Sequence, residues 1–124
     1  MLNVAMFGAS GRMGRTIVPL VVASTALRLS GALAAADDAP IGHDAGVVAG
    51  TAPVAVSITS DPGRALDGAD VAIDFTLPAA SLEHARRCLE RKVPLVIGTT
   101  GHDESARAEI SPIAEGLPGF MAPN

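Results

Sequence analysis

Three glycines, Gly8, Gly11 and Gly14, punctuate the stretch GASGRMGR directly after the apolar run Val4-Ala5-Met6-Phe7. A G-x-x-G-x-x-G spacing between a strand and a helix can seat the phosphates of a dinucleotide. The first glycine permits a tight turn, the second lets the main chain approach a pyrophosphate, and the third lets helix and strand pack closely. Amide N–H groups at the helix start, helped by its dipole, then face the phosphate oxygens. Arg12 and Arg15 add positive charge beside them. Gly8, Ala9, Ser10, Gly11, Arg12 and Met13 are therefore the candidate phosphate-binding residues. Such a triplet also arises in unrelated turns, and the strand before and helix after it are what give it weight.

The companion signal is missing. An acidic residue about 20 positions on, at the end of the second strand, should grip the adenosine ribose of a dinucleotide. Counting from Gly14 arrives at Ala34, with Ala35 and Ala36 beside it. Neither an acid for the ribose diol nor an Arg for a 2′-phosphate stands there. Asp37 and Asp38 follow in the loop and are read as ordinary solvated acids, a reach to the ribose being the less favoured option. Weak binding is expected, with the choice between NADH and NADPH open.

These residues need elements to position them, and the chain supplies alternating strands and helices. Strands are expected over 2–7, 27–34, 54–58, 71–73 and 95–97, with a sixth over 117–121. A helix from Gly11 to about Ala23 places Met13, Ile17 and Val21 on one face at i, i+4, i+8, and Pro19 should kink it by removing a backbone donor. A loop rich in Gly, Asp and Pro runs from Asp37 to about Pro53, and Asp61 to Leu66 suits a turn of helix. Pro78 opens a further helix, where its missing N–H is harmless, with Leu82, Ala85 and Leu89 inward and Glu83 four residues before Arg87. Asp103 can cap a last helix that carries Ala106, Ile110 and Ile113 inward, with Pro112 weakening its end. Strands and helices alternating at this spacing indicate an α/β protein with a doubly wound, Rossmann-type parallel sheet of about six strands.

Composition agrees. The 124 residues suffice for one domain, and 48% of them are hydrophobic, dominated by Ala and Val. Strands so rich in Val, Ile and Ala suit a sheet covered on both faces. The net charge of −4, the lack of a basic run and only three aromatic residues (Phe7, Phe75, Phe120) argue against nucleic-acid binding. Arg12, Arg15, the stretch 16–27 and the small residues 32–36 imitate a signal peptide. A strand and three spaced glycines inside the charged region are foreign to such a signal, and Pro19 and Arg28 interrupt any membrane span. Cys88, the single cysteine, excludes an internal disulfide and fits a reducing compartment, so the expected localisation is cytoplasmic.

Taken together, GASGRMGR at 8–15, GHDAG at 42–46, IDFTLP at 73–78, VIGTTG at 96–101 and the terminal APN at 122–124 resemble the nucleotide-binding half of the dihydrodipicolinate reductases. Those enzymes (also called 4-hydroxy-tetrahydrodipicolinate reductases) act in the diaminopimelate route to lysine. The resemblance implies that residues 8–13 lie under the pyrophosphate of NADH or NADPH. It implies that Gly98, Thr99 and Thr100 line the nicotinamide end, and that Ala122, Pro123 and Asn124 close over the nicotinamide ribose. The sequence departs from the family at Ala34 and Ala35, where an acid and often an Arg are usual. It also lacks the second, α+β domain, with its paired-His segment, nearby Lys and D-x-P-S-G-T loop for the dicarboxylate substrate. Residues 1–124 are thus expected to be an NAD(P)-binding Rossmann domain, inactive alone and without the family's tetramer. The alternative is a non-enzymatic NAD(P)-binding or partner-docking module.

Local substitutes for the absent proton donor are few. His43, His84 and His102 are isolated and lack metal-ligand spacing, so no metal is expected. His84 should point from its helix to solvent, and His102 lies closest to the expected nicotinamide site. Cys88 is read as a small packing group rather than a nucleophile. Asp74, ending a strand, is expected to orient the following loop by accepting backbone N–H bonds.

Overall fold

A computed structural model describes residues 1–97 apart from Ala39 and Leu77. Its elements are β1 (Leu2–Phe7), α1 (Arg12–Ala23), β2 (Leu27–Leu33), α2 (Ala45–Val48), β3 (Ile58–Thr59), α3 (Pro62–Leu66), β4 (Val71–Asp74), α4 (Pro78–Arg91) and β5 (Leu95–Ile97). The strands form one sheet in the order β3-β2-β1-β4-β5, and every neighbouring pair is parallel. The chain winds outward from β1 through β2 to β3, then crosses back to β4 and β5. Neighbouring connections therefore leave β1 and β4 in opposite directions, and a crevice opens at their carboxyl ends. This is the expected doubly wound α/β class, with five strands among the described residues. The sixth strand expected over 117–121 and the helix expected from Asp103 lie outside them.

β1 shows why the first strand reads as an unbroken apolar run. Side chains alternate between faces along a strand. Val4 and Met6 join Val18 and Val21 of α1 in one buried cluster, while Ala5 and Phe7 join Ala65 and Leu66 of α3 and Ala85 and Cys88 of α4 in the other. A strand covered on both faces has no polar side to expose. β2 carries a register shift opposite Val4 and Ala5, and beyond it Gly31 faces α3. A Cβ at Gly31 would lie 1.9 Å from the Ala65 carbonyl oxygen, so the sheet–helix contact there requires glycine.

Several boundaries and faces differ from the sequence expectation. The buried row of α1 is Gly14, Val18 and Val21, whereas Met13 is exposed and Ile17 half-buried. Gly14, packed against the preceding turn, takes the buried side in place of Met13, and Val21 is common to both rows. α1 continues through Pro19 as a single helix. In α4 the buried row is Ser81, His84, Ala85 and Cys88, with Leu82 half-buried and Leu89 exposed. The expected Glu83–Arg87 pair forms at 3.1 Å between exposed side chains. β3 is reduced to Ile58–Thr59, and the 37–53 loop contains the short α2. The stretch that imitates a signal peptide supplies β1, α1 and β2, and residues 4–7 are fully buried. Among the described residues no helix is long and apolar enough to cross a membrane.

The GHDAG stretch proves to be a loop anchor. The Asp44 carboxylate accepts the N–H groups of Gly46 and Val47 at the start of α2, and those of Val54 and Ala55 across the loop. Desolvation, the largest single effect, favours the neutral acid, but the donors from Val54, Val47, Ala55 and Gly46 together outweigh it and hold its pKa below the ordinary value. A Cβ at Gly46 would lie 2.6 Å from the Ala52 carbonyl oxygen, which accounts for the motif's last glycine. His43 stands exposed in the same turn.

Candidate functional site

The crevice at the carboxyl ends of the strands has a volume of about 530 Å³. Gly8, Ser10 and Gly11 line it from the turn after β1, Met13 from the start of α1, Ala34, Ala35, Ala36 and Asp38 from the loop after β2, and Ser60 from beyond β3. Phe75, Thr76, Ala80 and His84 close it from the β4–α4 side. Another hollow of about 570 Å³ lies at the opposite ends of the strands, around Met1, Asn3, Leu27 and Gly68, away from the glycine turn.

The glycine turn is built as its spacing predicts. Gly8 has φ +86°, a backbone that favours glycine, and a Cβ there would meet the Phe75 carbonyl oxygen at 3.0 Å. A Cβ at Gly14 would lie 2.0 Å from the Gly8 carbonyl oxygen and 2.8 Å from Ala9 Cα. Gly11 is different: its Cβ would find only the Gly8 oxygen, at 3.5 Å, an ordinary contact. Among the described residues no neighbour requires glycine at position 11. The exposed face of this residue is room that an approaching ligand can use.

Gly11 is also the N-cap of α1, and no side chain caps the helix. Asp44 and Asp61, by contrast, cap α2 and α3 with their carboxylates. The α1 terminus thus keeps its first amide donors and the positive end of its dipole available, with Arg12 and Arg15 exposed in the first turn. This arrangement fits an anionic group such as a pyrophosphate, and the residues that would hold it are those of the turn 8–13.

The loop after β2 corrects one expectation. Asp37 is exposed, but Asp38 is half-buried and accepts a hydrogen bond from Ser10 Oγ at 2.6 Å. It is a crevice residue tied to the glycine turn rather than a solvated acid. Its backbone N–H donates to the Ala35 carbonyl at 3.0 Å, and this turn folds the carboxylate back over the strand end.

His84 is the second correction. Instead of pointing to solvent it is buried, with Nδ1 2.9 Å from Asp74 Oδ2 and its ring edge-on to Phe7 at a centroid distance of 4.7 Å. Fully buried Asp74 accepts the Thr76 N–H at 2.8 Å, the loop-orienting bond expected of it, and also the Thr76 hydroxyl. Thr76 Oγ1 lies 3.3 Å from both Ser81 Oγ and His84 Nδ1. A buried carboxylate obtains its hydrogen bonds from this network, which fastens α4 to the end of β4 and holds His84 at the crevice wall. Helical periodicity placed His84 on the polar side; the signal that could have found it is the pairing of Asp74 at a strand end with a His on the helix that follows. Burial, with the nearby Asp74 charge, pushes the Cys88 thiol up to about 12, consistent with a packing role. Gly98, Thr99, Thr100, His102, Ala122, Pro123 and Asn124 lie outside the described residues.

Five parallel strands wound in two directions from β1, with a glycine turn over the switch point, define a Rossmann-type α/β domain. The family model for dihydrodipicolinate reductase, N-terminus, matches residues 2–124, and the chain belongs to that family. A 4-hydroxy-tetrahydrodipicolinate reductase of Anaeromyxobacter dehalogenans is 45% identical over the whole chain. One from Chromobacterium violaceum is 48% identical over 108 residues, or 87% of the chain. These matches cover 46% and 40% of the two relatives, so the chain spans a little under half their length. Among solved structures, a dipicolinate-bound dihydrodipicolinate reductase from Paenisporosarcina sp. TG-14 superposes with a TM-score of 0.69 at 27% identity, covering 93% of this chain and 43% of that one. An amine dehydrogenase from Mycobacterium smegmatis shares the fold alone, with a TM-score of 0.73 at 19% identity over 91% of this chain and 36% of that one.

Proposed function

We propose that this chain is the dinucleotide-binding half of a 4-hydroxy-tetrahydrodipicolinate reductase, acting in lysine biosynthesis by way of diaminopimelate. The observation that carries the reading is the uncapped amino terminus of α1, set at the switch point behind a turn whose Gly11 has, among the described residues, no packing reason to be glycine. In this reading the turn 8–13 lies under the pyrophosphate of NADH or NADPH. The N–H groups of Arg12 and Met13 at the uncapped helix start are the donors, while those of Gly8, Ala9 and Gly11 are spent on the Leu33 and Gly8 carbonyls. Arg12 and Arg15 raise the local positive potential. Gly98, Thr99 and Thr100 line the nicotinamide end, and Ala122, Pro123 and Asn124 cover its ribose. The nicotinamide supplies a hydride when bound. The Asp74–Thr76–His84 network keeps the β4–α4 wall of the crevice in place.

Proton delivery and the grip on the dicarboxylate substrate belong to the other half of the reductase. The 124-residue chain by itself is expected to bind reduced cofactor, to lack turnover and to remain a monomer or weak dimer, working in the cytoplasm. Titration with NADH, followed by nucleotide fluorescence, should saturate; no binding at millimolar concentration would overturn the nucleotide reading. Reduction of the dehydrated substrate by the purified chain would overturn the division of labour.

A further inference from the structure

The position where dinucleotide-binding domains hold their ribose-binding acid is filled here by three alanines, yet the crevice still contains a carboxylate. Asp38 reaches it from beyond the strand end. The Ala35–Asp38 turn folds it back, and Ser10 Oγ fixes Oδ2 at 2.6 Å. Among the described residues Oδ1 of Asp38 has no hydrogen-bond partner. Ala34, Ala35 and Ala36 line the same crevice, Ala34 buried in the core and Ala35 and Ala36 exposed, so no bulky side chain from this stretch fills it. Among the described residues lining the crevice there is no Lys or Arg, and Asp38 is the one carboxylate.

A pyrophosphate on the glycine turn would bring the adenosine ribose toward the ends of β1 and β2, the edge that Asp38 overhangs. The two hydroxyls of a ribose diol are donors, and a carboxylate with an open oxygen accepts from them in a charge-assisted bond. A 2′-phosphate would set an anion against Asp38, a repulsion that Arg12 and Arg15, exposed on the first turn of α1 and not among the lining residues, offset only in part. We propose that Asp38, positioned by Ser10, takes over recognition of the adenosine ribose and makes this domain select the unphosphorylated dinucleotide over its 2′-phosphorylated form. The proposal rests on the nucleotide-binding reading above.

The test uses ADP-ribose and its 2′-phosphate, probes without the nicotinamide ring, titrated calorimetrically into the full 124-residue chain. ADP-ribose should bind at least about tenfold more tightly than the 2′-phosphate. Asp38→Asn should shrink that preference to about threefold or less, by weakening ADP-ribose and strengthening its phosphate. Ser10→Ala, which frees the carboxylate without removing it, should lower the preference part of the way. Equal affinities in the unaltered chain, or a ratio unmoved by Asp38→Asn, would overturn the assignment while leaving nucleotide binding intact. Binding of neither probe would overturn both. The ratio in the unaltered chain decides the matter even if a variant fails to fold.

Discussion

Gly14 and Gly11 lie in the same turn but answer to different constraints, so their substitutions should separate folding from binding. A methyl at Gly14 must displace the Gly8 carbonyl, 2.0 Å away, and with it the whole turn. Gly14→Ala is expected to destabilise the domain by about 2–3 kcal/mol, the upper range for a group forced into a packed site, as read from urea unfolding. Gly11→Ala meets nothing closer than 3.5 Å and should leave the unfolding midpoint nearly unchanged. Its methyl would stand where the main chain must approach a pyrophosphate, so the affinity for NADH should fall at least about tenfold. Equal loss of stability in the two variants would show that the glycine spacing serves packing alone. The spacing of these glycines was legible because backbone sterics are local. Asp38 was not, because its link to Ser10 spans 28 positions and appears only when two loops meet.

At the scale of elements, carboxylates at strand ends and helix starts hold the connecting loops. Asp61 caps α3, Asp74 fastens the β4–α4 junction, and Asp44 gathers amides from both sides of the 44–55 loop. The Asp44 carboxyl is held below its ordinary 3.8 in the folded chain. A group depressed in this way adds stability above its unfolded pKa, and the contribution is lost as pH falls through the folded value. The amide NMR shifts of Gly46, Val47, Val54 and Ala55 should therefore titrate together, with a midpoint under 3.8. A midpoint at or above that value would mean that the four bonds do not govern Asp44. The strands were readable from apolar runs, and α3 from Asp61-Pro62. Val21 and Ala85 are buried as expected, but the rest of the inner faces of α1 and α4 was misread because apolar periodicity cannot register a glycine that packs by its smallness or a histidine buried on a carboxylate.

For the whole molecule, the two buried clusters on either side of the sheet share β1, so loss of one exposes the other. Cys88 lies fully buried in the cluster under α4, with its thiol raised to about 12 by burial and by Asp74. At pH 8 a thiol reagent should leave it untouched in the native chain. Its reactivity in urea should rise with the same midpoint as the loss of helical circular dichroism. Reaction well before that midpoint would show that α4 opens as a separate unit.

The sequence by itself determined the α/β class, the approximate chain positions of the first five strands, the glycine turn and the likeness to dihydrodipicolinate reductases. Each of these follows from residues close together in the chain, through alternation, helix and turn sterics, or short motifs. Only the tertiary structure decided which side of α1 faces the sheet, that His84 is buried on Asp74, and that Asp38 bends into the crevice beside Ser10. Those outcomes depend on distant segments meeting, where one close approach or one buried charge outweighs the preference of a local pattern.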